Sequence, residues 1–145
     1  MNDDRASRLV RVFHQAPLAK TMGMRLHYEG EQAVFDWQYD PRFDHAMADV
    51  HGGVIATLLD NAGFFAAALN YEHWIVTVEF HTRLLARAGR ETLRAVGRVV
   101  RSGKRMATTE MTVHNTSDEL VALGSASFLP TTKPLPDVTD LEHGN

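Results

Sequence analysis

Gly53 to Asn70 reads GVIATLLDNAGFFAAALN, an almost uninterrupted apolar stretch that is too long for a strand and holds no proline. It predicts a buried helix at the centre of the molecule. Before it, Asp40 to Val50 carries Pro41, His45 and three aspartates, a polar connection rather than an element. Further back, Met24 to Tyr28 and Ala33 to Tyr39 are short runs of β-formers joined by Glu29-Gly30-Glu31, which predicts a hairpin. Leu9, Val10, Val12 and Phe13 recur with helical period and predict a short amphipathic helix over about residues 5–16, ended by Pro17.

After Tyr71 come four strand-like runs, roughly Ile75 to Leu85, Thr92 to Arg101, Met106 to Asn115 and Leu120 to Leu129. Ala88-Gly89, Ser102-Gly103 and Thr116-Ser117-Asp118 separate them, and links this short demand antiparallel neighbours. Residues from about 130 to 145, with Pro130, Pro134 and Pro136, are expected to be a tail. Two strands, one long helix and four more strands make an α+β domain in which one antiparallel sheet wraps one helix. One helix covers one face of such a sheet, and a helix apolar on nearly all sides needs cover on its second face. A second copy of the chain is the simplest supplier.

The chain has 145 residues, the commonest size for one domain, and 44% of them are hydrophobic, enough for a core. A net charge of -3 excludes a globally basic nucleic-acid binder. With no cysteine there is no disulfide framework, thiolate nucleophile or cysteine-ligated metal. No stretch approaches the ~18 apolar residues that span a bilayer. The N-terminal MNDDRASRLVRVFHQAP lacks the apolar core of a secretory signal, and its paired aspartates argue against a transit peptide, so a cytoplasmic protein is expected.

At about 100° per residue, Val54, Ile55, Leu58, Leu59, Ala62, Phe65, Ala66 and Leu69 form one broad stripe facing the sheet. The opposite stripe holds Gly53, Thr57, Asp60, Phe64 and Ala67. Aspartate is a poor mid-helix residue and is rarely buried unpaired. A solvated stripe or an arginine partner across an interface would explain Asp60, but Phe64 and the alanines make a poor solvent face. The helix also begins with His51-Gly52-Gly53, a glycine pair that lets another molecule approach the first amides, where the positive helix end suits a carbonyl or oxyanion. Gly52 and Asp60 lie about 12 Å apart along the axis, so one chain cannot bring both to one carbon. Antiparallel helices of two subunits can, which predicts a dimer with two equivalent sites.

His51-Gly52-Gly53-Val54-Ile55-Ala56-Thr57-Leu58-Leu59-Asp60 resembles the H-G-G-x5-L-x-D-type signature of hotdog-fold acyl-CoA thioesterases of the PaaI-like branch. The resemblance covers roughly Met22 to Leu129, with Val76-Thr77-Val78-Glu79-Phe80 after the helix and Gly103-Lys104-Arg105 in a late hairpin. It implies a hotdog fold, Asp60 as catalytic carboxylate acting as base or nucleophile on a thioester, Gly52 as the carbonyl-polarising amide, and Thr77 as a hydroxyl that positions water. His51 is expected to orient the site. Many relatives carry an asparagine six residues before that histidine; this chain has His45, whose role stays open between a polar contact, an acid–base helper and a loop residue.

Eight of the 15 lysines and arginines fall between Arg83 and Arg105, against only Glu91. They are either a solvated strand face or a surface for a polyanion such as coenzyme A, for which Arg87, Arg90, Lys104 and Arg105 are the candidate contacts. The stretch lacks the interleaved aromatics of a nucleic-acid surface. Phe64, one turn beyond Asp60, is the candidate to stack on an aryl acyl group, and a core or interface role is the alternative. Gly124-Ser125-Ala126-Ser127-Phe128 fails G-x-S-x-G. There is no H-E-x-x-H and no H-x-H pair to hold a metal, and no cofactor is expected beyond coenzyme A as part of the substrate. The sequence thus points to acyl-CoA thioester hydrolysis by a dimer or a dimer of dimers. A non-catalytic acyl-CoA-binding protein and a hotdog hydratase or dehydratase are the alternatives.

Overall fold

The structure, a computed structural model, describes residues 3–142. Helices α1 (Asp3–Gln15) and α2 (Pro17–Met22) lead into strands β1 (Met24–Glu29) and β2 (Gln32–Trp37). A 3₁₀ turn at Pro41–Phe43 and an Asp44–Val50 bridge precede α3 (Gly52–Ala68). Then follow β3 (His73–Leu84), β4 (Leu93–Ser102), β5 (Ala107–His114), β6 (Leu120–Pro134) and α4 (Val138–Glu142). Every strand pairing is antiparallel, in one six-stranded sheet of order β1-β2-β4-β5-β6-β3. The α3 helix packs against five of the strands, β2 to β6. This is the α+β architecture expected of the sequence.

Of the sheet-facing stripe of α3, Val54, Ile55, Leu58, Leu59, Ala62, Phe65 and Ala66 are all buried, while Leu69, which caps the helix, is only half-buried. The helix lies low on the sheet. A Cβ on Gly97 of β4 would come within 2.0 Å of the Ala62 carbonyl oxygen, and one on Gly63 within 2.6 Å of Thr109 Oγ1 on β5. Glycine at these facing positions is what lets backbone approach backbone. Phe13 of α1 packs into the same core, with its ring 4.8 Å from Phe35 and 5.2 Å from Phe65.

Three expectations change. Pro17 does end α1, but it also occupies the first turn of α2, where a missing N–H costs nothing. The stretch from residue 130 does not begin a tail: β6 runs on to Pro134, paired with β3 through Ile75↔Pro130 and His73↔Pro134. The β5 pairing stops at Ala107↔Phe128, so beyond that point β6 has an open side on which proline is tolerated. Leu135 is then buried and α4 follows; residues 143–145 of the expected tail lie outside the described residues. Finally, the second face of α3 does not depend wholly on another copy. Ala67 is fully buried, Phe64 is 9% exposed, and α1 of the same chain reaches over this end, with the Arg5 guanidinium donating to Ala68 O at 2.8 and 2.9 Å.

Because the Ala62 carbonyl is backbone and no rotamer can relieve the clash, Gly97→Ala is expected to cost on the order of 3 kcal/mol. The measurement is the shift of the urea midpoint at unchanged m-value.

Candidate active site

Asp60 sits midway along α3, half-buried, with Thr77 of β3 donating from Oγ1 to its Oδ1 at 2.9 Å. The β3–β6 register slips between Thr77 and Glu79, leaving Val78 as an extra residue beside the hydroxyl that reaches the helix. Burial lifts the Asp60 pKa above the usual aspartate value, and the Thr77 hydrogen bond opposes it. The result is a carboxylate poised to take up a proton more readily than a solvated one.

These two side chains open into a cavity of about 270 Å³ lined by Asp60, Asn61, Phe64, Phe65, Trp74 and Thr77, and by residues of α1 and α2. Phe64 therefore does share a space with Asp60. It also packs on Phe65, Trp74 and Phe128 at ring-centroid distances of 5.1, 4.9 and 5.8 Å. Phe65, which the helical spacing puts on the sheet-facing stripe, also lines this cavity, as do Trp74 and Asn61, for which the sequence pattern offers no role. The Phe64-Phe65 pair beside Asp60 was a local signal, whereas Trp74 enters only through the fold of β3 over α3.

The helix start is built differently from the expectation in one respect. His51 caps α3 through its ring, Nδ1 accepting from the Gly53 N–H at 2.8 Å, and Val54 N–H bonds to His51 O at 2.9 Å. The Gly53 amide is therefore occupied within the chain and is not a donor for a ligand. Its role is steric, because a Cβ there would lie 2.9 Å from His51 Nδ1. Gly52 keeps its amide, and a neutral His51 ring that accepts at Nδ1 carries its proton on Nε2. Gly52 and Asp60 remain about two turns apart within one chain, as helix geometry requires.

The basic stretch is divided by the fold. Arg87 Nε bonds to Asp49 Oδ2 at 2.7 Å, and Arg90 donates to Ala48 O and lies 3.9 Å from Asp44, so both brace the loop before α3. Arg94 and Arg98 pair with Glu29 and Glu110. Lys104 and Arg105 lie in the β4–β5 turn, which Tyr71, just beyond the other end of α3, holds by a 2.7 Å bond from its hydroxyl to Gly103 O. One chain thus does not gather Arg87, Arg90, Lys104 and Arg105 in one place. His45 is exposed, and its Nδ1 accepts from Met47 N–H at 3.1 Å, closing a turn of the same loop. Among the described residues no group of three or more histidines and acids is placed to hold a metal, and no helix is long and apolar enough to cross a membrane.

The profile of the thioesterase superfamily matches residues 47–122, just over half of the chain and the whole of the helix that carries Asp60. The chain belongs to the thioesterase superfamily. Among solved structures, a protein from the thioesterase superfamily shares 29% identity and a TM-score of 0.82, over 88% of this chain and 99% of that one. A thioesterase family protein of Silicibacter pomeroyi gives 24% and 0.77, over 84% and 96%. The Escherichia coli PaaI protein from the phenylacetic acid degradation operon gives 18% and 0.81, over 90% and 95%. These likenesses bear out the hotdog thioesterase fold. No curated protein matches the chain.

Two measurements probe the carboxylate without assuming a reaction. Thr77→Val removes the bond that favours the charged form, so the Asp60 titration followed by ¹³C NMR is expected to move further upward. A raised folded-state pKa means stability is full below the unfolded value and is lost as pH rises through the folded one. Asp60→Asn is therefore expected to raise Tm at pH about 7.5, the gain vanishing near pH about 4.

Proposed function

We propose that the protein hydrolyses an acyl-CoA thioester to the free acid and coenzyme A, with an aryl acyl group of the PaaI-like kind as preferred substrate. The observation that carries this reading is Asp60: a carboxylate lifted by burial, oriented by Thr77, in the wall of an aromatic cavity, on the central helix of a thioesterase-superfamily fold.

In this scheme water, activated by Asp60 as general base, attacks the thioester carbonyl carbon; the C–S bond breaks, and the proton taken by Asp60 passes to the leaving thiolate. Direct attack by the Asp60 carboxylate, followed by hydrolysis of the anhydride, is the alternative route to the same products. Thr77 orients the carboxylate in either route. Gly52 donates its amide to the carbonyl oxygen, and His51 holds the helix start in shape while presenting its Nε2–H. Because Gly52 and Asp60 are about 12 Å apart in one chain, the polarising amide comes from the second subunit of a homodimer. The long edge strand β3 supports such a partner, since Val76, Val78, Phe80 and Leu84 stand exposed along it at 42, 56, 41 and 51%. A dimer of dimers keeps the same shared sites.

The coenzyme A phosphates are assigned to Lys104 and Arg105, which have no carboxylate partner among the described residues, with Arg87 and Arg90 at the partner's loop. His45, on that same loop, is assigned to the substrate's entry. No cofactor takes part in the scheme, and the setting is cytoplasmic.

The decisive test is thiol release from a panel of acyl-CoAs. Asp60→Asn keeps the shape and removes the base, so kcat/KM is expected to fall by at least ~10². Tight binding of several acyl-CoAs with no cleavage by the wild type would overturn hydrolysis in favour of a sensor. Phe64→Ala is expected to lower kcat/KM for phenylacetyl- or benzoyl-CoA more than for a short straight-chain acyl-CoA; equal losses would make Phe64 a packing residue only. Sedimentation at micromolar concentration is expected to show a dimer or tetramer, and a fully active monomer would overturn the shared site.

A further inference from the structure

The cavity beside Asp60 has one wall that the helix and sheet do not provide. Val12, Phe13, Ala16 and Leu18, from the elbow where α1 meets α2, complete its lining. Phe13 and Val12 are 3% exposed, whereas Leu18 is 43% exposed at the rim. The elbow is fixed on both sides of this segment. On the α1 side, Arg5 donates to Ala68 O, Arg8 donates to Leu135 O at 3.1 Å, and His14 Nε2 accepts from Leu26 N–H at 3.0 Å. On the α2 side, Trp37 Nε1–H donates to Met22 O at 2.8 Å, and Gly23 ends the helix in the left-handed region at φ 72°. None of these anchoring bonds points into the cavity, and the segment between them carries only apolar side chains to it.

The geometry points to the α1–α2 elbow as the wall that limits the size of the acyl group, an assignment that rests on the thioester reading of the site. In one chain the cavity measures about 270 Å³ and its elbow wall is wholly apolar, which suits the hydrocarbon part of an acyl group. Leu18 and Ala16 are the specificity-determining positions. Both act on the acyl chain rather than on the reacting carbonyl, which lies with Asp60 and Thr77. Leu18, being partly solvated, can be shortened without opening the core. Ala16 is half-buried, and a larger side chain there enters the cavity directly.

The test is an acyl-CoA ladder of acetyl, hexanoyl, decanoyl and phenylacetyl thioesters, with kcat/KM from thiol release and Kd on the Asp60→Asn background, where binding is read without turnover. Leu18→Ala is expected to raise the decanoyl-to-phenylacetyl ratio at least about fivefold, and Ala16→Leu to lower phenylacetyl-CoA about tenfold or more while sparing acetyl-CoA, in the range that one or a few methylenes command in an apolar pocket. Unchanged ratios in both variants, with Tm near wild type and hydrolysis intact, would overturn the wall and leave the hydrolase reading standing. Graded binding that follows the two substitutions in a protein that cleaves nothing would do the reverse. Loss of all acyl-CoA binding in Leu18→Ala at unchanged Tm would also overturn it, because trimming the rim should widen the pocket.

Discussion

The closeness of α3 to the sheet is the constraint from which the rest follows. With glycine at positions 97 and 63, the helix backbone sits almost directly on β4 and β5, so that even a methyl group would collide with a carbonyl or a threonine hydroxyl. A helix held this low brings Asp60 within hydrogen-bond reach of Thr77 on the edge strand β3, although the two residues are 17 apart in sequence. It also sets Phe64 and Phe65 against Trp74, Phe128 and Phe13, which turns a row of core rings into the lining of a cavity. A helix raised by one methyl layer would keep the same topology but lose both the oriented carboxylate and the cavity beside it.

What was legible in the chain were features written in local periodicity. The apolar run from Gly53 to Asn70, the six strand-like segments and the turns between them specify their elements because burial on one face or both dictates the residue types. Asp60 stood out for the same reason, as a charge in the wrong company. The errors came where a rule of local chemistry met a tertiary exception. Proline at 130 and 134 usually ends a strand, yet here one side of β6 has lost its neighbour and the missing N–H is harmless. Gly53 looked like a free donor because a helix start leaves amides open; the His51 ring had already closed one of them. The elbow of α1 and α2 was invisible as part of the site, since nothing in residues 12–18 signals which distant helix they will cover.

The arginines carry a related lesson about charge. A count between residues 83 and 105 suggests one basic surface, but strands alternate direction and spread a contiguous sequence over separate edges. Arg87 and Arg90 end at the loop before α3, where Asp49 and Asp44 hold them, while Lys104 and Arg105 end at the turn near Tyr71. Exposed pairs such as Arg94 with Glu29 contribute little stability. Their effect is to remove charge from the surface that a polyanion would see. The bracing of the 44–49 loop by two arginines has a different consequence: it fixes the entrance to the helix start, and with it the position of Gly52.

A half-buried carboxylate on a largely apolar helix opposes folding, since burial penalises its charged form and the Thr77 hydrogen bond offsets only part of the penalty. A hydrophobic residue at position 60 would make the better core. The Gly52 amide, one of those a helix start leaves open, has no side-chain acceptor among the described residues. Asp60 and Gly52 sit on one helix and are separated by a distance that one chain cannot close. In the proposed scheme each subunit holds one half of each of two sites. Under that proposal a two-fold axis brings each Asp60 to the other chain's open helix start, and the half-buried charge at Asp60 and the exposed apolar edge of β3 share one physical explanation, an assembly of two chains.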